Sequence, residues 1–367
     1  MRSSDVARLF EASGPFLSMY LATEGDVENA AQRVAVRWKT LRADLVDAGV
    51  PEQTLEEIDP LVEGSHTAGA TLAVIAAVDG VEYAGSMPHP PPREWVVRQG
   101  PLPYVIPLLT WAQSLVPHIA VLATRAHAEL AARVPEEVER TEREEIELPH
   151  PPHLTRSKPG GWSQPRYQHR AEVQWERNAS QVAEELTRTA DRVRPRFIAA
   201  AGDVRALELL REESPKRVQE TIKVVGGELG SITQVLEEAE RLAAATAEAD
   251  SDALLDEFEQ ERAQGDRAAD GPEATFDALA RHQVRTLLLR DRPDDERTAW
   301  FGEELGQVAL DREALVVENE PTPVEGRLLD VAVRAALGTG AEVRVLGPES
   351  DGRGPSEGLG AVLRYAT

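Results

Sequence analysis

Short apolar runs alternate along this chain with stretches in which apolar residues recur at helical spacing. Residues 16–22 form one such run and predict a strand. Val34, Trp38 and Leu41 then recur every three or four residues, which predicts a helix over about 28–48. The chain therefore opens with a strand followed by a helix.

A second apolar run, residues 70–78, leads through an Asp-Gly pair into residues 81–84 and predicts a β-hairpin. Prolines then recur from Pro88 to Pro107, and this spacing excludes a regular helix or a central strand. We expect the first domain to end close to residue 115.

Strands and helices alternate through the middle of the chain, as in an α/β sheet. The pattern predicts a β-rich start up to Leu148, a loop from Pro149 to about His169 and a helix that ends near Arg194. It then predicts, in order, a strand at 197–201, a helix capped by Asp203, a strand at 221–225 and a long acidic helix over about 231–262.

A Gly-rich break at residues 265–272 precedes the last hundred residues. The elements predicted there are a helix at 274–280, a strand at 284–289, a helix at 327–337 and strands at 342–346 and 360–365. This order predicts a small α/β sandwich. The boundaries give three domains, residues 1–115, 116–268 and 269–367.

Composition narrows the possible functions. Apolar residues make up 41% and charged residues 28%, as in ordinary folded domains. The net charge is -24 and each predicted domain is acidic, which argues against non-specific binding of nucleic acid, DNA included. The chain has no cysteine, so disulfides, thiolate nucleophiles and Cys-type metal sites are excluded. We find no signal peptide and no membrane-length apolar run, and expect a cytoplasmic protein without a membrane partner.

One segment departs from this acidity. No acidic residue occurs between Glu147 and Glu172. The segment holds the cations Arg156, Lys158, Arg166 and Arg170, together with three of the eight histidines, His150, His153 and His169. Any contact with RNA is expected from this local excess of positive charge.

The same segment contains residue types that suit recognition of RNA ends. Adjacent glycines allow close backbone approach, aromatic rings stack on unpaired bases, and amides donate and accept hydrogen bonds. These residues are Gly160, Gly161, Trp162, Gln164, Tyr167 and Gln168. The alternative is an exposed connector with turn residues and solubilising charges.

Other candidate chemistry is weak. His66, His89 and His118 show no metal-ligand spacing with one another, and residues 226–230 lack the Lys-Ser/Thr of a phosphate-binding loop, so we expect no metal and no cofactor. A helix cap suffices to explain Asp203, although a catalytic carboxylate is the alternative. A further set of cations, Arg188, Arg192, Arg194 and Arg196, fits either a solvated helix end or an extension of an RNA-facing surface.

The stretch Gly160-Gly161-Trp162-Ser163-Gln164, followed by Arg166 and the helix start Gln168-His169-Arg170, resembles bacterial relatives of the archaeo-eukaryotic release factors. The pattern of residues 274–289 and 360–365 is similar to the ribosomal-protein-like third domain of Pelota and the release factors. The resemblance covers roughly residues 116–367, and the first 115 residues fit the bacterial branch.

This resemblance implies an α/β protein of three domains. They are a bacterial-specific N-terminal α/β domain, a release-factor-like middle α/β domain with a projecting Gly-rich loop, and a ribosomal-protein-like C-terminal α/β sandwich. It also implies a translation factor that occupies the ribosomal A site, in the manner of Balon-like hibernation factors under stress. The partners implied are ribosomal RNA and elongation factor Tu.

The resemblance assigns roles within the Gly-rich segment. The residues expected to bind RNA are Arg156, Lys158, Trp162, Arg166, Tyr167, Gln168, His169 and Arg170. If the protein is instead a release or rescue factor that hydrolyses peptidyl-tRNA, Gly160 and Gly161 approach the ester and Gln164 orients water. Trp162 and Ser163 stand between the glycines and this amide, and two inserted residues displace it by up to about 7 Å when extended.

Overall fold

The computed structural model describes residues 3–23, 29–65, 70–124, 127–133, 141–147, 164–226, 230–292, 294–316, 322–347 and 352–366. Contacts divide the chain into two compact units. One comprises Ser114–Glu248, and the other joins Met1–Gln113 to Ala249–Thr367. The predicted division at residues 115 and 268 stays a prediction.

The N-terminal segment forms an antiparallel sheet of order β3-β2-β1-β4, covered on one face by helices. Its elements are α1 (Ser3–Arg8), β1 (Phe16–Ala22), α2 (Ala30–Asp47), α3 (Glu52–Gly64), β2 (Thr71–Ala77), β3 (Gly80–Met87), β4 (Trp95–Gly100) and α4 (Ile106–Ser114).

The middle unit is built on a mixed sheet of order β7-β6-β5-β8-β9, in which β5, β8 and β9 run parallel. Its elements are β5 (His118–Ala123), β6 (His127–Arg133), β7 (Thr141–Glu147), α5 (Gln164–Val193), β8 (Phe197–Gly202), α6 (Val204–Glu213), α7 (Lys216–Gln219), β9 (Ile222–Val224) and α8 (Ile232–Gln264). Helix α8 continues past Glu248 into the other unit.

The C-terminal segment contains a sheet of order β10-β16-β11-β15 and a smaller antiparallel sheet of order β13-β12-β14. Its elements are β10 (Ala268–Asp270), α9 (Gly271–Ala280), β11 (Val284–Leu289), β12 (Thr298–Phe301), β13 (Val308–Ala309), β14 (Val324–Arg327), α10 (Leu328–Gly338), β15 (Glu342–Val345) and β16 (Leu359–Leu363). The mixed α/β class predicted from the sequence is confirmed.

The apolar runs read as strands are continuous because both faces of those strands are covered. In β1, Leu17, Met19 and Leu21 join the core under α2 and α3. The opposite face of the same strand carries Ser18 and Tyr20, which are also buried. Strand β5 is likewise enclosed, because alternate residues contribute to the cores on its two faces.

Several elements differ from the prediction, among them α3, α4 and β4. Helix α3 was not predicted; it contains Pro60, a residue that usually interrupts helices. The Pro-rich segment does contain a helix, α4, because Pro107 lies in its first turn, where no backbone N–H partner is needed. Strand β4 also lies in that segment. It is an edge strand of its sheet, and prolines are tolerated at sheet edges.

A buried polar contact joins the N-terminal sheet to the C-terminal segment, and Tyr104 lies at its centre. The Tyr104 hydroxyl donates to Asp291, which also binds the Arg327 guanidinium. The Tyr104 ring lies between Arg98, 4.8 Å from its centroid, and Arg327 at 5.4 Å. We call this group, with Asp330 of α10, the Tyr104 cluster.

The backbone of Tyr104 is fixed by strand β1. The Tyr104 N–H donates to Ser18 Oγ over 2.9 Å, and its carbonyl accepts from the Tyr20 hydroxyl over 2.6 Å. A second link lies at Gln113, whose side-chain Nε2 donates to the carbonyl of Val345 over 2.5 Å while its Oε1 accepts from the Val345 N–H over 3.0 Å. The amide of Gln113 thus pairs with edge strand β15.

Asp330 is the most deeply buried carboxylate of the Tyr104 cluster. Its side chain is 6% exposed, and its Oδ1 lies 3.6 Å from Arg327 Nη1, too far for a hydrogen bond. Burial raises the pKa of Asp330 to about 7, although the charges of Arg327 and Arg98 favour the carboxylate. Near neutral pH this group therefore gains or loses a proton inside the folded unit.

We expect Asp330→Asn to change how stability depends on pH. A folded pKa above the unfolded value means that the folded chain binds more protons, so the free energy of unfolding falls as pH rises from near 4 to about 7. Asn cannot ionise, so the variant should lose this slope and resist urea better than the wild type at alkaline pH. Urea unfolding between weakly acidic and alkaline pH measures the difference.

The matched control is Asp277→Asn, which alters an exposed aspartate of the same segment. It should keep the wild-type pH slope. An Asp330→Asn protein whose slope equals that of the wild type would show that Asp330 does not titrate in this range.

Candidate nucleic-acid interface

The predicted interface is carried by helix α5, whose C-terminal half is anchored on the middle sheet. Its buried residues Val182, Leu186 and Val193 recur at helical spacing and pack against β5, β6 and α6. This apolar face fixes the direction of the helix on the sheet.

The N-terminal part of α5 extends well beyond this anchor. Side chains in the helix are described from Glu176 onwards, and the first buried one is Asn178. Gln164, the first helical residue, precedes Asn178 by fourteen positions, or about 20 Å at 1.5 Å per residue. The basic, Gly-rich segment leads directly into this end of the helix.

The start of α5 is suited to an anion. The first backbone N–H groups of a helix have no partner within it, and the helix dipole adds partial positive charge there. Acidic side chains would offset this charge, but the first turn of α5 contains none. The helix dipole and the sequence therefore favour a negatively charged partner at the same place.

The structure places the predicted site residues in two groups. Arg156, Lys158, Gly160, Gly161 and Trp162 lie outside the described residues. The backbone of the remaining residues lies in the first two turns of α5; these residues are Gln164, Arg166, Tyr167, Gln168, His169 and Arg170.

The helix therefore begins about five residues earlier than the sequence indicates. Pro165 is the second residue of the helix, and proline suits this first turn because its missing N–H leaves no bond unmade. Arg166 and Arg170 are consequently one helical turn apart, as are Gln164 and Gln168. Gln164 belongs to the helix and not to the preceding loop.

Arg188, which the sequence grouped with the possible RNA-facing arginines, is held by carboxylates of its own unit. Its guanidinium pairs with Glu185 on the same helix. Burial and the proximity of Glu185 raise the pKa of Glu144 on β7, while the charges of Arg188 and Arg192 act in the opposite direction. Arg188 therefore serves mainly to neutralise this acidic pair.

Two basic residues that the sequence analysis did not single out lie at the same end of the sheet. Lys216 and Arg217 form the start of α7, which leads into β9. The parallel pairing of β8 with β9 places them at the same end of the sheet as Arg194 and Arg196, which precede β8. In the sequence these two residues are simply a Lys-Arg pair before a strand. They can be grouped with the other cations only once the order of strands in the sheet is known.

The structure supports the helix-cap interpretation of Asp203. Asp203 Oδ1 accepts from the backbone N–H groups of Arg205 at 3.0 Å and Ala206 at 3.2 Å. The preceding Gly202 has φ +131°, and a Cβ there would lie 1.9 Å from the carbonyl oxygen of Ala123. These residues form a tight strand-to-helix turn.

His118 is a core histidine. It is 2% exposed, its ring stacks on Phe197 at 5.4 Å, and Nδ1 hydrogen-bonds the Val116 carbonyl. Burial lowers its pKa, so the neutral ring is favoured. Within the described residues no set of three or more His, Asp or Glu side chains is arranged to hold a metal ion.

A cavity of about 200 Å³ lies beside β1 and α3 in the N-terminal segment. Its acidic residue Glu57 accepts a hydrogen bond from the Val81 N–H at 3.1 Å. The wall is otherwise formed by apolar and neutral polar residues. The cavity has no pair of titratable groups for acid–base catalysis among the described residues that line it.

Comparison with known proteins identifies the middle of the chain. Residues 117–264 match the family model "Bacterial archaeo-eukaryotic release factor family 2". This range begins one residue before β5 and ends with α8. The resemblance of this segment to the bacterial archaeo-eukaryotic release factor family is thereby confirmed.

Similar proteins extend over the whole chain. The proteins named "Uncharacterized protein Rv2629" and "Uncharacterized protein MT2704", from two strains of Mycobacterium tuberculosis, are each 27% identical over 377 residues. The alignments cover 100% of this chain and 97% of each relative.

Solved structures of release factors and Pelota proteins show weaker similarity. Archaeal translation termination factor aRF1 is 16% identical, with TM-score 0.26 and coverage of 100% of this chain and 99% of that one. Archaeoglobus fulgidus Pelota is 12% identical, with TM-score 0.36 and coverage of 99% and 92%. Saccharomyces cerevisiae Dom34 is 13% identical, with TM-score 0.40 and coverage of 83% and 78%. The similarity to the release factor family therefore rests on residues 117–264.

Among its described helices, the chain has none with the length and apolar character needed to cross a bilayer.

We expect Asp203→Ala to destabilise the release-factor-like unit by about 1 kcal/mol, because two backbone donors at the start of α6 lose their acceptor. Asp203→Ser should retain most of the stability, since a serine hydroxyl can cap the same groups. Urea unfolding followed by circular dichroism compares the three proteins. Equal midpoints for wild type and Asp203→Ala would rule out the capping role.

Proposed function

We propose that this protein is a ribosome-binding translation factor that occupies the A site as a Balon-like hibernation factor under stress. The observation that carries the proposal is the start of α5 at Gln164, about 20 Å before Asn178, the first buried residue among the helix side chains that the structure describes. In sequence, the acid-free segment (the residues between Glu147 and Glu172) runs into this start, on a chain whose net charge is -24. RNA is the proposed partner because its negatively charged phosphates would be attracted to a positive segment on an otherwise acidic chain.

The proposed contact has an electrostatic and a stacking part. Arg156, Lys158, Arg166 and Arg170 would pair with phosphates, and Trp162 would stack on an unpaired base. The acidic remainder of the chain would oppose binding elsewhere on RNA. Attachment would therefore be confined to a site into which the end of α5 fits.

Binding without hydrolysis is the form of the proposal that we favour. Gln164 is the first residue of α5, and Trp162 and Ser163 separate it from the two glycines. A hydrolytic role would require the glycines and Gln164 to enter the reaction site together, and the backbone of Gln164 is already part of α5. Association with elongation factor Tu is part of the same proposal and rests on the family resemblance.

We expect the quadruple variant Arg156→Ala, Lys158→Ala, Arg166→Ala and Arg170→Ala to co-sediment poorly with intact ribosomes. Each lost phosphate contact lowers the slope of log affinity against log salt by about 0.7 to 0.9, so the slope should fall by about 3. Sedimentation at low and high salt measures both effects.

A control with the same change of charge replaces Arg188, Arg205, Arg241 and Arg281 by alanine. These four exposed arginines pair with carboxylates on their own helices. The control should bind as the wild type does. Equal losses in both variants would mean that net charge, and not the acid-free segment, governs binding.

The hydrolytic alternative makes an opposite prediction for Gln164. We expect wild-type protein to release no peptide from stalled ribosomes that carry peptidyl-tRNA, and Gln164→Ala to leave ribosome binding within about twofold of wild type, since a neutral side chain contributes little to a phosphate contact. A peptide-release assay with both proteins decides. Release by the wild type that is lost in Gln164→Ala would establish a rescue factor instead.

A further inference from the structure

A second concentration of positive charge lies at the opposite end of α5 from the Gly-rich segment. Residues 192–196 and 215–219 contain five basic residues and no acidic one. They adjoin because β8 and β9 pair in parallel, with Ile198 opposite Ile222. We call this set the amino-edge cluster; it consists of Arg192, Arg194, Arg196, Lys216 and Arg217, all exposed.

The nearby carboxylates account for only part of this charge. Arg217 binds Asp191 through two oxygens, at 2.8 and 2.9 Å, which ties α7 to the end of α5. Glu220 flanks the cluster on the other side. Within the described part of the chain, neither Arg194 nor Lys216 has a carboxylate at ion-pair distance. The cluster therefore remains positive on a chain with a large negative charge.

The backbone of Arg194 gives an independent indication. It has φ +50°, in the left-handed region, directly after the last residue of α5. Glycine or asparagine is preferred at such a position because a side chain adds strain there. An exposed arginine at this position gives up stability that glycine would supply. A stability cost kept at an exposed position indicates that the guanidinium has a binding role.

The helix dipole explains only some of these cations. Arg192 lies in the last turn of α5, where positive charge is favourable. Arg196 lies beyond the helix, directly before β8. Lys216 lies in α7, a single turn of four residues that is too short to have distinct dipole ends. An external anion accounts for all of them.

We propose that the amino-edge cluster is a second contact for the phosphate backbone of folded RNA. Helix α5 has 30 residues and is about 45 Å long, so the two contacts would lie at opposite ends of one rigid rod. Two anchors at this separation would fix the orientation of the middle unit on an extended RNA surface. The identification of that RNA as ribosomal rests on the proposed function.

The test uses the full-length chain and two variants. One is Arg194→Gly, which relieves the backbone strain and should unfold at a higher temperature than the wild type. The other combines Arg194→Gly with Arg196→Ala and Lys216→Ala. The control combines Arg205→Ala, Arg241→Ala and Arg281→Ala, which make the same change of charge at sites paired within helices.

Equilibrium binding to purified ribosomes between about 50 and 200 mM KCl is the measurement. We expect the triple variant to bind at least about tenfold more weakly than the wild type, with a salt slope lower by about 2 to 3. Arg194→Gly alone should bind more weakly despite its higher unfolding temperature. That combination cannot arise from misfolding.

The outcomes separate this inference from the proposed function. If the wild type binds ribosomes and the triple variant binds with equal affinity and slope, the inference is wrong and the proposed function stands. If the wild type does not bind ribosomes, the proposed function fails, and a plain RNA duplex becomes the probe. Weaker duplex binding by the triple variant than by the control then supports the cluster; equal binding, or none by any protein, overturns it.

Discussion

The apolar face of helix α5 is the constraint on which the candidate site depends. Val182, Leu186 and Val193 fix the last part of the helix on the middle sheet, and the helix transmits that orientation to its first residue. A loop of the same length would leave the basic segment free in direction. A rigid helix instead converts hydrophobic burial at one end into a defined position at the other.

Much of the fold could be predicted because its strands are short and continuously apolar. Residues 16–22 and 118–123 match β1 and β5, and the spacing of Val34, Trp38 and Leu41 matches α2. These signals are local. They depend on burial along one segment and need no knowledge of its neighbours.

The elements that were not predicted are those whose conformation depends on their position in the fold. Helix α3, which contains Pro60, was not predicted, and the short strands β12, β13 and β14 leave too few residues for a period to emerge. The Tyr104 cluster could not be predicted from the sequence for another reason. Tyr104 and Asp291 are 187 positions apart, and Asp330 sits inside an apolar stretch where the pattern gives no sign of its partners.

The residue types of the candidate site could be predicted from the sequence, but their arrangement in space could not. The absence of acids between Glu147 and Glu172 is a property of the sequence, so the basic segment was found directly. The helical state of Gln164 and the position of Arg194 and Lys216 at one end of the sheet are not. The first depends on where α5 begins, and the second on the order of strands in the sheet.

The side chain of Gln113 has a consequence for how molecules of this protein meet one another. An exposed edge strand offers unpaired N–H and C=O groups to any extended chain, and is a common starting point for aggregation. On β15, the amide of Gln113 occupies both backbone groups of Val345. One glutamine thus closes part of that edge to intermolecular strand pairing without requiring another strand.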